Sequence, residues 1–170
     1  FRIPLAGGGT DLDFYYKKKG GDLISATFDQ YIYILICERK LDKKILIQTT
    51  TTQFANKISQ IKHELIKSVL SHFRLFKSIQ VASVATLPTK TGLGSSSSFI
   101  AGLIKGVALI KKIFLSKKEL AKVAYYIERK KLKLDGGWQD QIITSYGSLQ
   151  RIKINKKGSF NCKKLKISKA

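Results

Sequence analysis

VASVATLPTKTGLGSSSSFIAGLIKGVALI, residues 81 to 110, sets three unlike pieces end to end. VASVA alternates as a half-buried strand does, and the alanine-, glycine- and leucine-rich run from Phe99 to Ile110 is long and apolar enough for a buried helix. Between them lie two glycines and four consecutive serines. A flexible glycine–serine linker would join independent units and be flanked by polar residues, which this loop is not. A loop that enters a helix instead presents unpaired backbone N–H groups and the positive end of the helix dipole to an anion. Glycines let the main chain come close, and serine hydroxyls add donors and a hard oxygen for Mg2+. The loop lacks the Lys-Ser or Lys-Thr pair of a Walker A sequence, and the Gly92–Gly94 spacing is too short for one.

Outward from this loop, Arg2 to Ala6, Asp22 to Phe28, Tyr31 to Arg39, Lys44 to Thr50 and Ile79 to Ala85 carry the β-branched and aromatic content of strands. Ile58, Ile61, Leu65, Val69, Phe73 and Phe76 recur at three or four residues, which predicts one long amphipathic helix from Asn56 to Phe76. Ser116 and Glu119 form a capping box that opens a further helix through Glu128, stopped by Asp135-Gly136-Gly137. A short helix from Trp138 to Ser145 and a hairpin, Ser148 to Ile154 and Phe160 to Ile167 with a turn at Lys157-Gly158, follow. The pattern is that of one α+β domain, without repeats or an interdomain linker.

A chain of 170 residues with 44% hydrophobic residues can bury an ordinary core. No run approaches the ~20 apolar residues of a bilayer span, and the first residues lack the basic and apolar regions of a signal peptide, so no membrane partner and a cytoplasmic protein are expected. Cys37, inside the apolar run YIYILIC, reads as a reduced, buried thiol, and its spacing from Cys162 gives no metal signature. The net charge of +21 directs attention to nucleic acid. The lysines are dispersed along the chain, however, and most fall in turns or on polar faces, which favours a solvated surface. No methionine is present, so the numbered chain is expected to begin after the natural start.

FRIPLAGGGTD at the start, P-x-x-x-G-L-G-S-S-S from Pro88, and E-R-x(7)-G-x-Q-D-Q from Glu128 to Gln141 stand in this order along the chain. Together they resemble the motifs of the GHMP small-molecule kinases, the superfamily of galactokinase, homoserine kinase and mevalonate kinase. The GGGTD and GLGSSSSF forms are most similar to the D-glycero-D-manno-heptose 7-phosphate kinase group, which phosphorylates an anomeric hydroxyl. The resemblance implies a domain like the second domain of ribosomal protein S5, a mixed sheet packed with helices, and ATP with Mg2+ as cofactors of phosphoryl transfer to a sugar phosphate.

The same resemblance assigns roles. Asp140 matches the catalytic aspartate and Arg2 the basic residue beside it. Pro88, Gly92, Leu93, Gly94, Ser95, Ser96 and Ser97 match the nucleotide-phosphate loop, and Ser96 with Glu128 the Mg2+ ligands. Gly8, Gly9, Thr10 and Asp11, with Gly137, match the sugar-contacting positions. Blander readings stand beside these: Asp140 as a carboxylate favoured by a helix N-terminus, Arg2 as an exposed terminal residue, Glu128 as a surface charge paired with Lys131, and Asp11 as an Asx turn. Thr49 to Thr52 read as a polar loop, and His63 and His72 as surface or boundary residues on the long helix.

Two departures stand out. Family members are roughly twice as long and carry a C-terminal domain with a third, glycine-rich motif, so residues 1 to 170 are expected to be the N-terminal domain alone, with the missing domain packing against it. Trp138 stands where heptose-kinase relatives commonly have lysine. The alternatives are a kinase fragment without activity, or a basic α+β domain that binds RNA through its charge.

Overall fold

The computed structural model describes residues 1–88 and 92–166 and divides the strands between two four-stranded sheets. The first, in the order β1 (Arg2–Ala6), β2 (Gly21–Thr27), β7 (Leu149–Ile154), β8 (Phe160–Lys164), is antiparallel throughout. The second, in the order β3 (Ile32–Glu38), β6 (Ile79–Ala85), β4 (Ile45–Gln48), β5 (Thr52–Ala55), is mixed, because β4 runs parallel to β6. Pro4 is placed on β1, an edge strand, where its missing N–H breaks no central ladder.

Five α-helices cover these sheets: α1 (Asp13–Lys19), α2 (Glu64–His72), α3 (Ser95–Ile110), α4 (Lys117–Tyr125) and α5 (Gln139–Tyr146). The larger core joins the mixed sheet to α2 and α3 through Ile47, Val81, Val69, Ile100, Leu103 and Ile104. Gly102 and Gly106 let α3 lie tight on β3, since a methyl group there would come 3.0 Å from Ile34 Cδ1 and 2.6 Å from Ile36 Cδ1. A second core gathers Leu23, Tyr125, Trp138, Ile142, Ile143, Ile152 and Phe160 beneath the antiparallel sheet.

The expected α+β class and most elements are found, with four corrections. The apolar spacing over 56–76 is not one helix: a 3-10 turn at Ile58–Gln60 and α2 share it, because Ile61 reaches the core from an extended link between them. The serines do not precede α3 but form its first turn, with Gly94 as N-cap in the left-handed region at φ 73°. Cys37 is exposed rather than buried. Ile32, Ile34 and Ile36 of β3 pack on the core, so the alternating residues Tyr33, Leu35 and Cys37 face outward. Finally, the helix opened by the Ser116–Glu119 capping box widens into a π-helical segment, Tyr126–Lys131, which ends before Asp135. Helix α1 and β5 were not expected. The hairpin is found with Gly158 in its turn at φ 81°, while Ile167 lies outside the described residues, as do Thr89, Lys90 and Thr91 of the loop.

Candidate functional site

The three motif segments, far apart in sequence, converge at the N-terminal ends of α3 and α5. Arg2 lies on β1, and its backbone N–H donates to Leu93 O at 3.0 Å. Its side chain crosses the loop against Gly94, where a methyl group would stand 2.8 Å from Arg2 Cγ, so only glycine permits this approach. Beyond Gly94 the guanidinium meets the first turn of α5. Arg2 Nε donates to Asp140 Oδ1 at 2.7 Å and Nη2 to Oδ2 at 3.1 Å, a bidentate pair with side chains 16% and 22% exposed. Arg2 is therefore neither terminal nor idle.

Glu128 is buried, at 1% exposed. The π-helical register turns both Ile127 and Glu128 inward, where an α-helical surface pair with Lys131 had been open; Lys131 Nζ donates to Ser68 O instead. Glu128 Oε1 accepts from Ser96 Oγ at 2.9 Å. Its Oε2 accepts from Ser97 Oγ at 2.9 Å and from Gln141 Nε2 at 2.6 Å. Among the described residues no lysine or arginine comes within ion-pairing distance of it. A buried carboxylate with neutral donors alone, one oxygen beside the hydroxyl of exposed Ser96, suits a hard divalent cation. No cluster of three His, Cys, Asp or Glu side chains exists among the described residues.

Ser97, matched to the phosphate loop, turns its hydroxyl inward to Glu128, so only its backbone can face an anion. The first N–H groups of α3, a helix of 16 residues, provide the anion end that the loop was expected to supply. Ser95 and Ser96 border a cavity of about 450 Å3 that continues past Thr49, Thr50, Leu87, His63 and Phe99. His63 is half-buried against Phe99, ring centroids 5.3 Å apart, and burial lowers its pKa below 6.5. It is the boundary residue expected, although it caps α2 while exposed His72 ends it. Pro88 is exposed beside this loop. A larger cavity of about 640 Å3, lined by Phe28, Ser98, Lys105 and Thr144, contains none of the motif charges.

Asp11 is 5% exposed and joins the first motif to the third. Its Oδ2 accepts the Gln139 N–H at 2.9 Å, and Gly137 packs so closely that a methyl group would overlap the Asp11 carboxylate and carbonyl. Gln139 Nε2 donates to Ser25 Oγ, which donates to Ile3 O of β1. Thr10 closes the glycine turn by donating to Gly7 O at 2.7 Å, while Gly8 and Gly9 face open space. Trp138 stacks on Tyr125, centroids 3.5 Å apart, inside the second core. Burial, then the hydrogen bond to Asp13, raises the Tyr125 pKa. Sequence reasoning passed over Gln139 and Gln141; their only signal was their place in the quoted Q-D-Q.

Residues 56–148 match the family model described as GHMP kinases N terminal domain. The chain belongs to the GHMP kinase family. A D-glycero-alpha-D-manno-heptose 7-phosphate kinase of Campylobacter jejuni subsp. jejuni serotype O:2 is 33% identical over 159 residues, 86% of this chain and 46% of that protein. The crystal structure of a D-glycero-D-manno-heptose 1-phosphate kinase from Bacteriodes thetaiotaomicron superposes with a TM-score of 0.90 at 30% identity, over 98% of this chain and 58% of that one. Galactokinase of Lactococcus lactis, at 18% identity and a TM-score of 0.78, shares the fold over 98% of this chain and 46% of its own. The GHMP chain thus spans about half the length of the relatives it matches. No helix among its described residues is long and apolar enough to cross a membrane.

Proposed function

We propose that the chain is the nucleotide-binding part of an ATP-dependent cytoplasmic kinase that phosphorylates a sugar-phosphate hydroxyl, with D-glycero-D-manno-heptose 7-phosphate at its anomeric position as the substrate. The observation that carries this reading is the bidentate Arg2–Asp140 pair set against the glycine–serine entrance to α3. The N-terminal end of α3 binds the nucleotide phosphates, and the apolar cavity past Phe99 and His63 takes the nucleoside. Asp140 accepts the proton of the acceptor hydroxyl as its oxygen bonds to the γ-phosphorus and the bond to the bridging oxygen breaks, releasing ADP. Arg2 holds that carboxylate in place and offsets charge on the transferring phosphoryl group. Ser96 and Glu128 would hold Mg2+, which supplies charge neutralisation to the phosphates. The outer side of Asp11, with Gly8 and Gly9, faces the sugar. A second domain closes the cleft over exposed Ile3, Leu5 and Phe14.

The heptose assignment rests on the two relatives near 30% identity, whose names differ in the phosphate position. The test is ADP release by the full-length protein with Mg2+ and, in turn, heptose 7-phosphate, heptose 1-phosphate, galactose and mevalonate. Turnover with heptose 7-phosphate alone is expected. Turnover with another acceptor overturns the substrate, and none with any acceptor overturns the activity.

A further inference from the structure

We propose that Gln141 is a positioning residue that orients Glu128 for a divalent cation without neutralising it, an inference that rests on the reading of Ser96 and Glu128 as the cation's protein ligands. Gln141 is fully buried, and its Nε2 donates to Glu128 Oε2 at 2.6 Å and to Ser97 Oγ at 3.1 Å. The direction of the amide follows from chemistry, since only its NH2 end can face a carboxylate. Its other end, Oε1, is left buried with no hydrogen-bond partner among the described residues. A side chain selected for stability alone would not keep a buried orphan oxygen; one retained to hold Glu128 has a reason to.

The contacts make the carboxylate asymmetric. Ser97 has one hydroxyl proton, which goes to Glu128 Oε2, and its lone pair receives the second contact from Gln141. Oε2 is thereby anchored by two donors, while Oε1 keeps only the hydroxyl of exposed Ser96 and is the oxygen presented outward. A lysine or arginine at position 141 would hold the carboxylate as well but would cancel the charge that attracts a cation. A neutral amide orients and leaves the charge intact. Since Asp140 precedes Gln141 on α5 and pairs with Arg2, one helical turn aligns both carboxylates.

The test measures Mn2+ binding by the full-length protein in the presence of a non-hydrolysable ATP analogue, by the loss of the free-ion electron paramagnetic resonance signal. Gln141→Leu, which keeps bulk and removes the donor, should weaken Mn2+ about tenfold and raise the Mg2+ needed for half-maximal turnover. The KM for the acceptor sugar should stay at the wild-type value, while the metal-free melting temperature falls because buried Glu128 loses a donor. Gln141→Asn, whose amide is one carbon too short to reach, should give the same Mn2+ loss and serves if the leucine variant fails to fold. Wild-type Mn2+ affinity in the variants, or a loss matched by an equal-fold rise in the sugar KM, overturns the role of Gln141. Glu128→Gln separates the two readings: if it binds Mn2+ like wild type, the ligand assignment itself has failed.

Discussion

Asp140 and Glu128 are carried by neighbouring segments around one helix N-terminus, yet their surroundings differ. Asp140, 22% exposed, is met by the guanidinium of Arg2 through two hydrogen bonds. Glu128, 1% exposed, is met by two hydroxyls and an amide. Burying a carboxylate without a countercharge costs several kcal/mol, which three neutral donors offset only in part. One site thus carries its own charge balance in the folded chain, and the other lacks a countercharge among the described residues. That division suits a proton acceptor on one side and a cation site on the other.

The largest effect is expected at the balanced carboxylate. Asp140→Asn keeps size and one acceptor oxygen but cannot take a proton, and kcat in the full-length protein should fall by about a thousandfold, far more than the loss in melting temperature from leaving Arg2 without its countercharge can explain. Arg2→Lys, which keeps charge but not the two-point contact, should lose less. A variant Asp140→Asn with wild-type turnover would reduce the Arg2 pair to a structural ion pair.

At the unbalanced carboxylate the expected readout is ligand-linked stability. Mg2+ added with ATP in hundredfold excess over its dissociation constant should stabilise the wild-type protein by about 2.7 kcal/mol over the metal-free, nucleotide-free form. Glu128→Gln should lose the part of that gain that depends on Mg2+, as read by thermal melts with and without chelator. Equal Mg2+-dependent shifts in both proteins would erase the distinction between the two sites.

A smaller loss tests the junction that holds the two carboxylates in register. Gly137→Ala places a methyl group against Asp11, so the start of α5 must move away from the first motif. A cost of about 2 kcal/mol is expected from such overpacking, with a similar loss in kcat/KM. Denaturant melts and sugar kinetics measured together check it; an unperturbed variant would show that Asp11 does not position α5.

How far these sites were legible depends on what kind of signal each residue leaves. Strand β6 was readable to its ends because its period-two pattern is short and bounded, and the Ser116–Glu119 capping box because it is a local contact. The spacing from Asn56 to Phe76 misled because apolar residues that reach one core from a short turn, an extended link and a helix can mimic one helix. The pairing of Arg2 with Asp140 was legible only through motif order, since nothing local links residues so far apart. Apart from its motif, Glu128 could equally be read as a surface charge, because helical spacing assumes an α register, which the π-helical segment abandons. Neutral amides such as Gln139 and Gln141 leave no charge or hydropathy pattern at all, and only the folded chain shows what they hold.

The smallest expected effect lies beside Ser96, where His63 closes the cavity against Phe99. Burial lowers its pKa from 6.5, with nearby Glu64 opposing the shift. Below pH 6.5 the unfolded chain therefore takes up a proton before the folded chain does, so stability is fully present above that value and falls as the pH drops through the lower, folded one. His63 keeps partial contact with solvent, which weakens the effect, and a fall in melting temperature of no more than about 3 °C is expected between pH 7 and 5.5. Exposed His72, whose pKa burial and then Lys131 also lower, adds in the same direction, so the comparison is made in a His72→Gln background. There, His63→Leu should flatten the remaining slope, while Arg2→Met, on the Asp140 side of the loop, should leave it unchanged. A slope that follows Arg2 instead would place the acid sensitivity at the ion pair and not at the cavity wall.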